Sequence, residues 1–151
     1  MNLPLEVEAI MPRIDGINKN LRRLKSLGRL PFSQFSQGDP FDLAQHHLRL
    51  ALEGIFHIGS HVLSRIPGGR AVEYKEIAVK LGDLGIVKKQ FAVGKLVKMA
   101  GLRNILVHHY ADIDPKRFYS VVKHNLTDIE FFLKEIKKVI KNPKKFKLKF
   151  E

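Results

Sequence analysis

The decapeptide Gly101–Tyr110, Gly-Leu-Arg-Asn-Ile-Leu-Val-His-His-Tyr, decides how the rest of the chain is read. On a straight helix turning about 100° per residue, Tyr110, Arg103, Val107, Asn104 and His108 fall in that order on a single arc. Met99, Leu102, Ile105 and Leu106 lie on the opposite side, a stripe suited to a helical core, and His109 projects into it. The polar arc offers a permanent cation for phosphate, an amide donor and acceptor, an imidazole for acid or base work near neutral pH, and a phenol hydroxyl. Phosphodiester chemistry uses such a set.

Upstream, the same helix is expected to start near Lys88. Val93, Leu96, Val97 and Ala100 then project onto the polar arc, which makes the helix apolar on two sides. One core does not easily cover both. With Ala100 and Gly101 permitting close approach, the second strip is a candidate surface for a symmetric partner, the alternative being cover by another helix of the same chain.

Elsewhere helical periods also dominate. Leu3 to about Leu27 carries Leu5, Ile10, Ile14, Ile17, Leu21 and Leu24 at helical spacing, ended by Gly28 and Pro31. Phe32 to Gly38 reads as a polar loop. Asp39-Pro40 is a cap followed by a first-turn proline, opening a helix to about Ile66 that Pro67-Gly68-Gly69 stops. A short helix is expected over Tyr74 to Leu81 and a turn from Gly82 to Val87. Asp114-Pro115 repeats the cap-and-proline signal for a last helix ending near Asn142-Pro143. The pattern specifies an all-α, up-and-down four-helix bundle with an additional short helix between helices two and three. Residues 1–142 form the bundle domain and 143–151 a basic C-terminal tail.

Arg103, His108 and Tyr110 also stand in the order R-x4-H-x-Y, and here the chain resembles the HepT-like toxins of the HEPN superfamily. Phe41 to Val62, Tyr74 to Val87 with its Leu-Gly-Asp-Leu-Gly-Ile-Val, and Asp112 to Leu133 look like the family's surrounding helices. The resemblance implies a metal-independent endoribonuclease of a toxin-antitoxin pair that cleaves RNA by transesterification. The RNA 2′-hydroxyl would be the nucleophile, His108 the general base or acid, Arg103 the stabiliser of charge on the phosphorane, and Asn104 the residue orienting His108 or the phosphate. It further implies a C2 homodimer in which two motif helices line one cleft. The gene partner would be a minimal, MntA-like nucleotidyltransferase antitoxin that silences the toxin by transferring AMP to Tyr110. The alternative is a non-catalytic HEPN module that binds RNA, a nucleotide or such a nucleotidyltransferase. One departure is visible: His57 stands where many relatives carry an acidic residue in the second helix.

Each site residue has a plainer reading. Arg103 could cap a bundle end through Asp112 or Asp114, His108 could be an interface histidine, and Tyr110 an ordinary helix-end aromatic. Asn104 and His108 are i and i+4, so a hydrogen bond between them is expected. In the second helix His46, Glu53, His57 and His61 form a polar stripe; Glu53, His57 and His61 either line the cleft or face water. A zinc-protease motif would need glutamate where the chain has Ile58, so no metal site is assigned. Gly68-Gly69 lacks the lysine and hydroxyl residue of a phosphate loop.

Lys and Arg number 27 against 15 Asp and Glu, a net charge of +12 that favours polyanions. The tail lysines from Lys137 to Lys149, interleaved with Phe146, Leu148 and Phe150, read as a solvated terminus, an arm for single-stranded nucleic acid, or an edge strand. The absence of cysteine, of a long apolar run and of a signal-like N-terminus points to a cytoplasmic protein without a membrane segment or cofactor.

Overall fold

The computed structural model describes residues 4–146 and Leu148. Every regular element among them is helical, and none is long and apolar enough to cross a membrane. Helix α1 (Val7–Gly28) buries Ile10, Ile14, Ile17, Leu21 and Leu24, the stripe legible from spacing, against α3 (Gly38–Ser64). Leu3, the expected start of that helix, lies outside the described residues. Two glycines on α3 set how closely its neighbours approach: a Cβ on Gly54 would sit 2.8 Å from Ile17 Cγ1, and one on Gly59 would sit 2.9 Å from Ile77 and Leu81. Side chains there would push α1 and α4 (Tyr74–Asp83) off the central helix.

The segment after α1 is not the polar loop its composition suggests. It folds into a single turn, α2 (Phe32–Phe35), because Phe35 is fully buried against the rings of Phe41, Phe118 and Tyr119, while the Tyr119 hydroxyl donates to Leu30 O at 2.6 Å. Aromatic burial outweighs local polarity here. Asp39 is likewise not the cap of α3; the helix begins at Gly38, with φ +66°, and places Asp39 in its first turn, where a carboxylate still favours the helix dipole.

Downstream, α5 (Lys89–Phe91), a π-helical turn (Ala92–Leu96) and α6 (Val97–His108) run on as one element. It packs on α3 and α4. His109, at φ −136° and ψ 33°, breaks it. Tyr110–Asp112 form a 3₁₀ turn, and Asp114 then caps α7 (Pro115–His124) by accepting from Lys116 N at 3.0 Å, with Pro115 in the first turn as expected. The last helix is not continuous: Asn125, at φ −110° and ψ 3°, separates α7 from α8 (Leu126–Lys141).

Beyond α8, a 3₁₀ turn (Pro143–Phe146) folds back on the bundle. Phe146 packs against the core, and Leu148 is buried with its N–H on Pro143 O at 2.9 Å. The described part of the tail is therefore not a free arm. The expected Phe-Lys-Leu-Lys-Phe edge strand falls mostly on Lys147, Lys149 and Phe150, outside the described residues.

Candidate active site

Glu53 is the hub that α3 presents to the motif helix. Its Oε2 accepts from Arg103 Nε at 3.1 Å and Nη2 at 3.0 Å, while its Oε1 accepts from Arg49 Nη1 at 2.9 Å, one helical turn away. The Arg103 guanidinium stacks 4.6 Å from the Tyr74 ring centre, and its Nη1 donates to Asn104 Oδ1 at 3.3 Å. Arg103 is thus held by a carboxylate edge, an aromatic face and an amide, and its side chain is 24% exposed. Of its five N–H donors, one on each terminal nitrogen stays available. Those donors border an open cleft of about 490 Å³ lined by Val72, Glu73, Tyr74, Lys75, Arg103 and Asn104.

A second shell of contacts fixes Tyr74. Its ring stacks on Phe56 at 4.7 Å and its hydroxyl lies 3.5 Å from His57 Nε2. Arg13 Nη1 donates to His57 Nδ1 at 2.9 Å, so that nitrogen is an unprotonated acceptor. Burial, and then the Arg13 and Arg103 charges, hold His57 below the usual histidine range, against a partial upward pull from Glu53. His57 is a neutral prop rather than a proton donor. His61 is also lowered, first by burial and then by Arg65, and its Nε2 accepts the Glu6 backbone N–H at 3.1 Å. Each histidine therefore commits a ring nitrogen that a metal would need. Of the α3 stripe, Glu53 reaches Arg103 directly, His57 acts through Tyr74, and His61 ties down the N-terminal segment.

The expected polar arc is split. Arg103 turns toward α3 and α4 with Asn104 bonded to it, whereas the His108 side chain is exposed and without a hydrogen-bond partner among the described residues. The anticipated Asn104–His108 bond is absent; Asn104 Oδ1 accepts from Arg103 instead. Tyr110 has left the helix at the His109 break and is 64% exposed. Neither Asp112 nor Asp114 pairs with Arg103; the counter-ion is Glu53.

The second apolar strip is also displaced. Leu96 and Ala100, expected to face a partner, are fully buried in the chain's own core. What lies partly open is Gly94, Val97, Gly101, Asn104 and then exposed His108, flanked by Val93 at 54% and Ile105 at 42% exposure. The π turn inserts an extra residue per turn and rotates what precedes it, Leu96 included, which straight-helix projection misses; Ala100 lies after it in α6 and is covered by the chain's own core. These five positions alternate in steps of three and four, the spacing of a two-helix seam. Added Cβ atoms at Gly94 and Gly101 would meet open space.

Tyr74, Arg49 and Arg13 were not singled out from sequence. A tyrosine at a helix start carries no signal of what will lie across it, and the two arginines resemble any solvated cation. Because Glu53 holds Arg103 in place, Glu53→Ala is expected to lower stability by about 1.5–3 kcal/mol, a charged hydrogen-bond loss, readable by urea unfolding.

Comparisons with known proteins address the same helices. The family model described as Ribonuclease HepT-like matches residues 17–136. A curated relative, the tRNA nuclease HepT of Aphanizomenon flos-aquae, is 26% identical over 133 residues, 87% of this chain and 90% of that protein. Among solved structures, a tri-AMPylated HEPN toxin of Shewanella oneidensis in complex with an MNT antitoxin superposes with a TM-score of 0.78 at 27% identity, covering 86% of this chain and 97% of that one. A mutant toxin-antitoxin complex containing MntA gives 0.76 at 26% identity, covering 87% and 98%.

Proposed function

The chain belongs to the HepT-like ribonuclease family, and from that membership we propose that it is the toxin of a toxin-antitoxin pair, an endoribonuclease that cuts RNA without a metal ion. The observation that carries the reading is the preformed Arg103 clamp of Glu53, Tyr74 and Asn104, beside an open cleft and within five residues of an exposed histidine. A tRNA nuclease relative suggests tRNA as the substrate class.

In this mechanism His108 takes the proton of the ribose 2′-hydroxyl, whose oxygen attacks the adjacent phosphorus. Negative charge grows on the non-bridging oxygens of the phosphorane, where the free Arg103 N–H donors receive it. The departing 5′-oxygen takes a proton from a second His108, and the products are a 2′,3′-cyclic phosphate and a 5′-hydroxyl. Asn104 and Glu53 keep the guanidinium aimed at the cleft. Nucleophile and charge stabiliser come from the RNA and the arginine, so the route calls for no metal.

Two copies of His108 imply two chains. Arg103 and His108 lie about 140° apart around α6, so one chain does not bring both onto one phosphate. A C2 dimer across the Gly94, Val97, Gly101, Asn104 and His108 seam would face the His108 side chains toward each other and bring the two clefts together. Gly101→Glu tests this without disturbing the chain's own packing, since the new side chain enters open space and replaces a poor helix former. Light scattering at micromolar concentration is expected to give a dimer for the parent protein and a monomer lacking nuclease activity for Gly101→Glu. A monomeric, fully active parent removes the composite site.

The silencing partner in this reading is an MntA-like nucleotidyltransferase that attaches AMP to Tyr110. Support comes from the exposure of Tyr110 and from the AMPylated relative bound to its antitoxin.

A further inference from the structure

Between them, α1 and α8 enclose a hollow of about 310 Å³ whose floor includes buried Leu21 and Leu133 and whose walls carry Arg22, Lys25, Lys134 and Lys137. It adjoins a second hollow of about 310 Å³ at the α7–α8 break, walled by Arg29 and Lys123. Lys25 and Glu130 belong to both, so the two form one trough.

The charge balance of this trough is unusual even for a chain of net charge +12. Six cations face one carboxylate, and that carboxylate, Glu130, is engaged by Lys25 at 2.8 Å. Among the described residues Arg22, Arg29, Lys134 and Lys137 have no carboxylate within salt-bridge distance. Their spacing follows the helices: Arg22 and Lys25 on α1 are continued by Arg29 at its C-terminal cap, and Lys134 and Lys137 recur along the facing side of α8. Two parallel rows of like charge repel each other and cost the folded state stability, a cost that a bound polyanion would offset. Nothing in the clefts or packing of the bundle requires them.

We propose that this trough is a second RNA-binding surface, separate from the cleavage cleft, that holds the phosphate backbone of a folded substrate RNA. Phosphate fits it better than bases do, because the walls offer six cations while the lining carries no Phe, Tyr or Trp ring and a single imidazole, His124 at the α7–α8 break. The Arg103 cleft reaches only the nucleotides at the cut. A trough that shares no lining residue with that cleft engages RNA beyond the cut, so it selects long or folded RNA over short oligonucleotides. This deepens the ribonuclease reading and rests on it only for the cleavage arm of the test.

The test is the triple variant Arg22→Gln, Lys134→Gln, Lys137→Gln in the full chain, with thermal unfolding as the folding control. Binding of a transcribed tRNA is expected to weaken on the order of tenfold, and the slope of log K against log salt to flatten by about 2, as befits three lost phosphate contacts. The kcat/KM for that tRNA should fall in proportion through KM, while cleavage of a tetraribonucleotide stays at the parent rate. Unchanged tRNA affinity and salt slope overturn the proposal. So does equal loss on both substrates, since the effect would then act through the cleft. Unchanged tRNA binding with lost binding of poly-glutamate would assign the trough to an acidic protein instead. If the parent binds tRNA through these residues but cuts no RNA, the trough stands and the ribonuclease reading falls.

Discussion

His108→Ala and Arg103→Ala are each expected to lower the rate of RNA cleavage by a hundredfold or more, the order for removing an acid-base group or a transition-state cation. The two losses have different signatures. The His108 side chain is exposed and makes no hydrogen bond among the described residues, so its alanine variant should keep the parent's fold and fail in chemistry. Arg103 joins α3 to α6 through Glu53 and stacks on Tyr74, so its loss also loosens the site. Arg103→Lys separates charge from geometry. A lysine retains the positive charge but cannot bond Glu53 through two nitrogens, stack on Tyr74 and reach Asn104 together, so the variant should remain severely impaired. Single-turnover rates measured alongside unfolding curves check all three. Parent-level cleavage by either alanine variant would remove that residue from the mechanism.

The second large effect concerns Tyr110. Co-expression with a nucleotidyltransferase partner is expected to yield protein heavier by one or more AMP units and inactive as a nuclease, with AMP on the Tyr110 hydroxyl. In that transfer the phenol oxygen attacks the α-phosphorus of ATP and pyrophosphate departs. An exposed phenol just past the end of α6 is accessible to a transferase, and AMP on it would bring a negative charge and a nucleoside to the helix end that carries His108. Tyr110→Phe should keep its nuclease activity and escape silencing by modification. Intact-mass and peptide spectra check both halves. Co-expressed protein without AMP on Tyr110, or modified protein that still cuts RNA at the parent rate, contradicts the assignment.

Much of the architecture was legible because bundle helices announce themselves through period and punctuation. The stripe from Ile10 to Leu24 and the Asp114-Pro115 cap are both present as read. What escaped depends on contacts between residues remote in sequence. Phe35 forms a helical turn because three other aromatic residues surround it, and α7 and α8 part at Asn125 without a proline or glycine to mark the place.

The site was legible in its residues and less so in its geometry. Arg103 meets Asn104 and Glu53, and His108 stays on the same helix, but extending the arc to Tyr110 assumed an unbroken helix. His109 ends that helix before Tyr110, and the π turn at Ala92–Leu96 rotates the residues before α6, so that Leu96 is buried and Gly94 joins Val97 and Gly101 on the open face. A π insertion is a backbone choice with no residue signature to give it away. The stacking of Arg103 on Tyr74 is a contact between distant segments, and no spacing within the motif encodes it.

The most direct measurement of the central claim is the chemistry of the cut ends. Purified protein is incubated in EDTA with an RNA of defined sequence, beside the same RNA carrying a single 2′-deoxynucleotide at the mapped cut, and the fragments are weighed by mass spectrometry. Cleavage through the 2′-hydroxyl predicts fragments ending in 2′,3′-cyclic phosphate and 5′-hydroxyl, formed at the parent rate in EDTA and absent from the deoxy-substituted RNA. Fragments with 3′-hydroxyl and 5′-phosphate ends, or cleavage that EDTA abolishes, would contradict it.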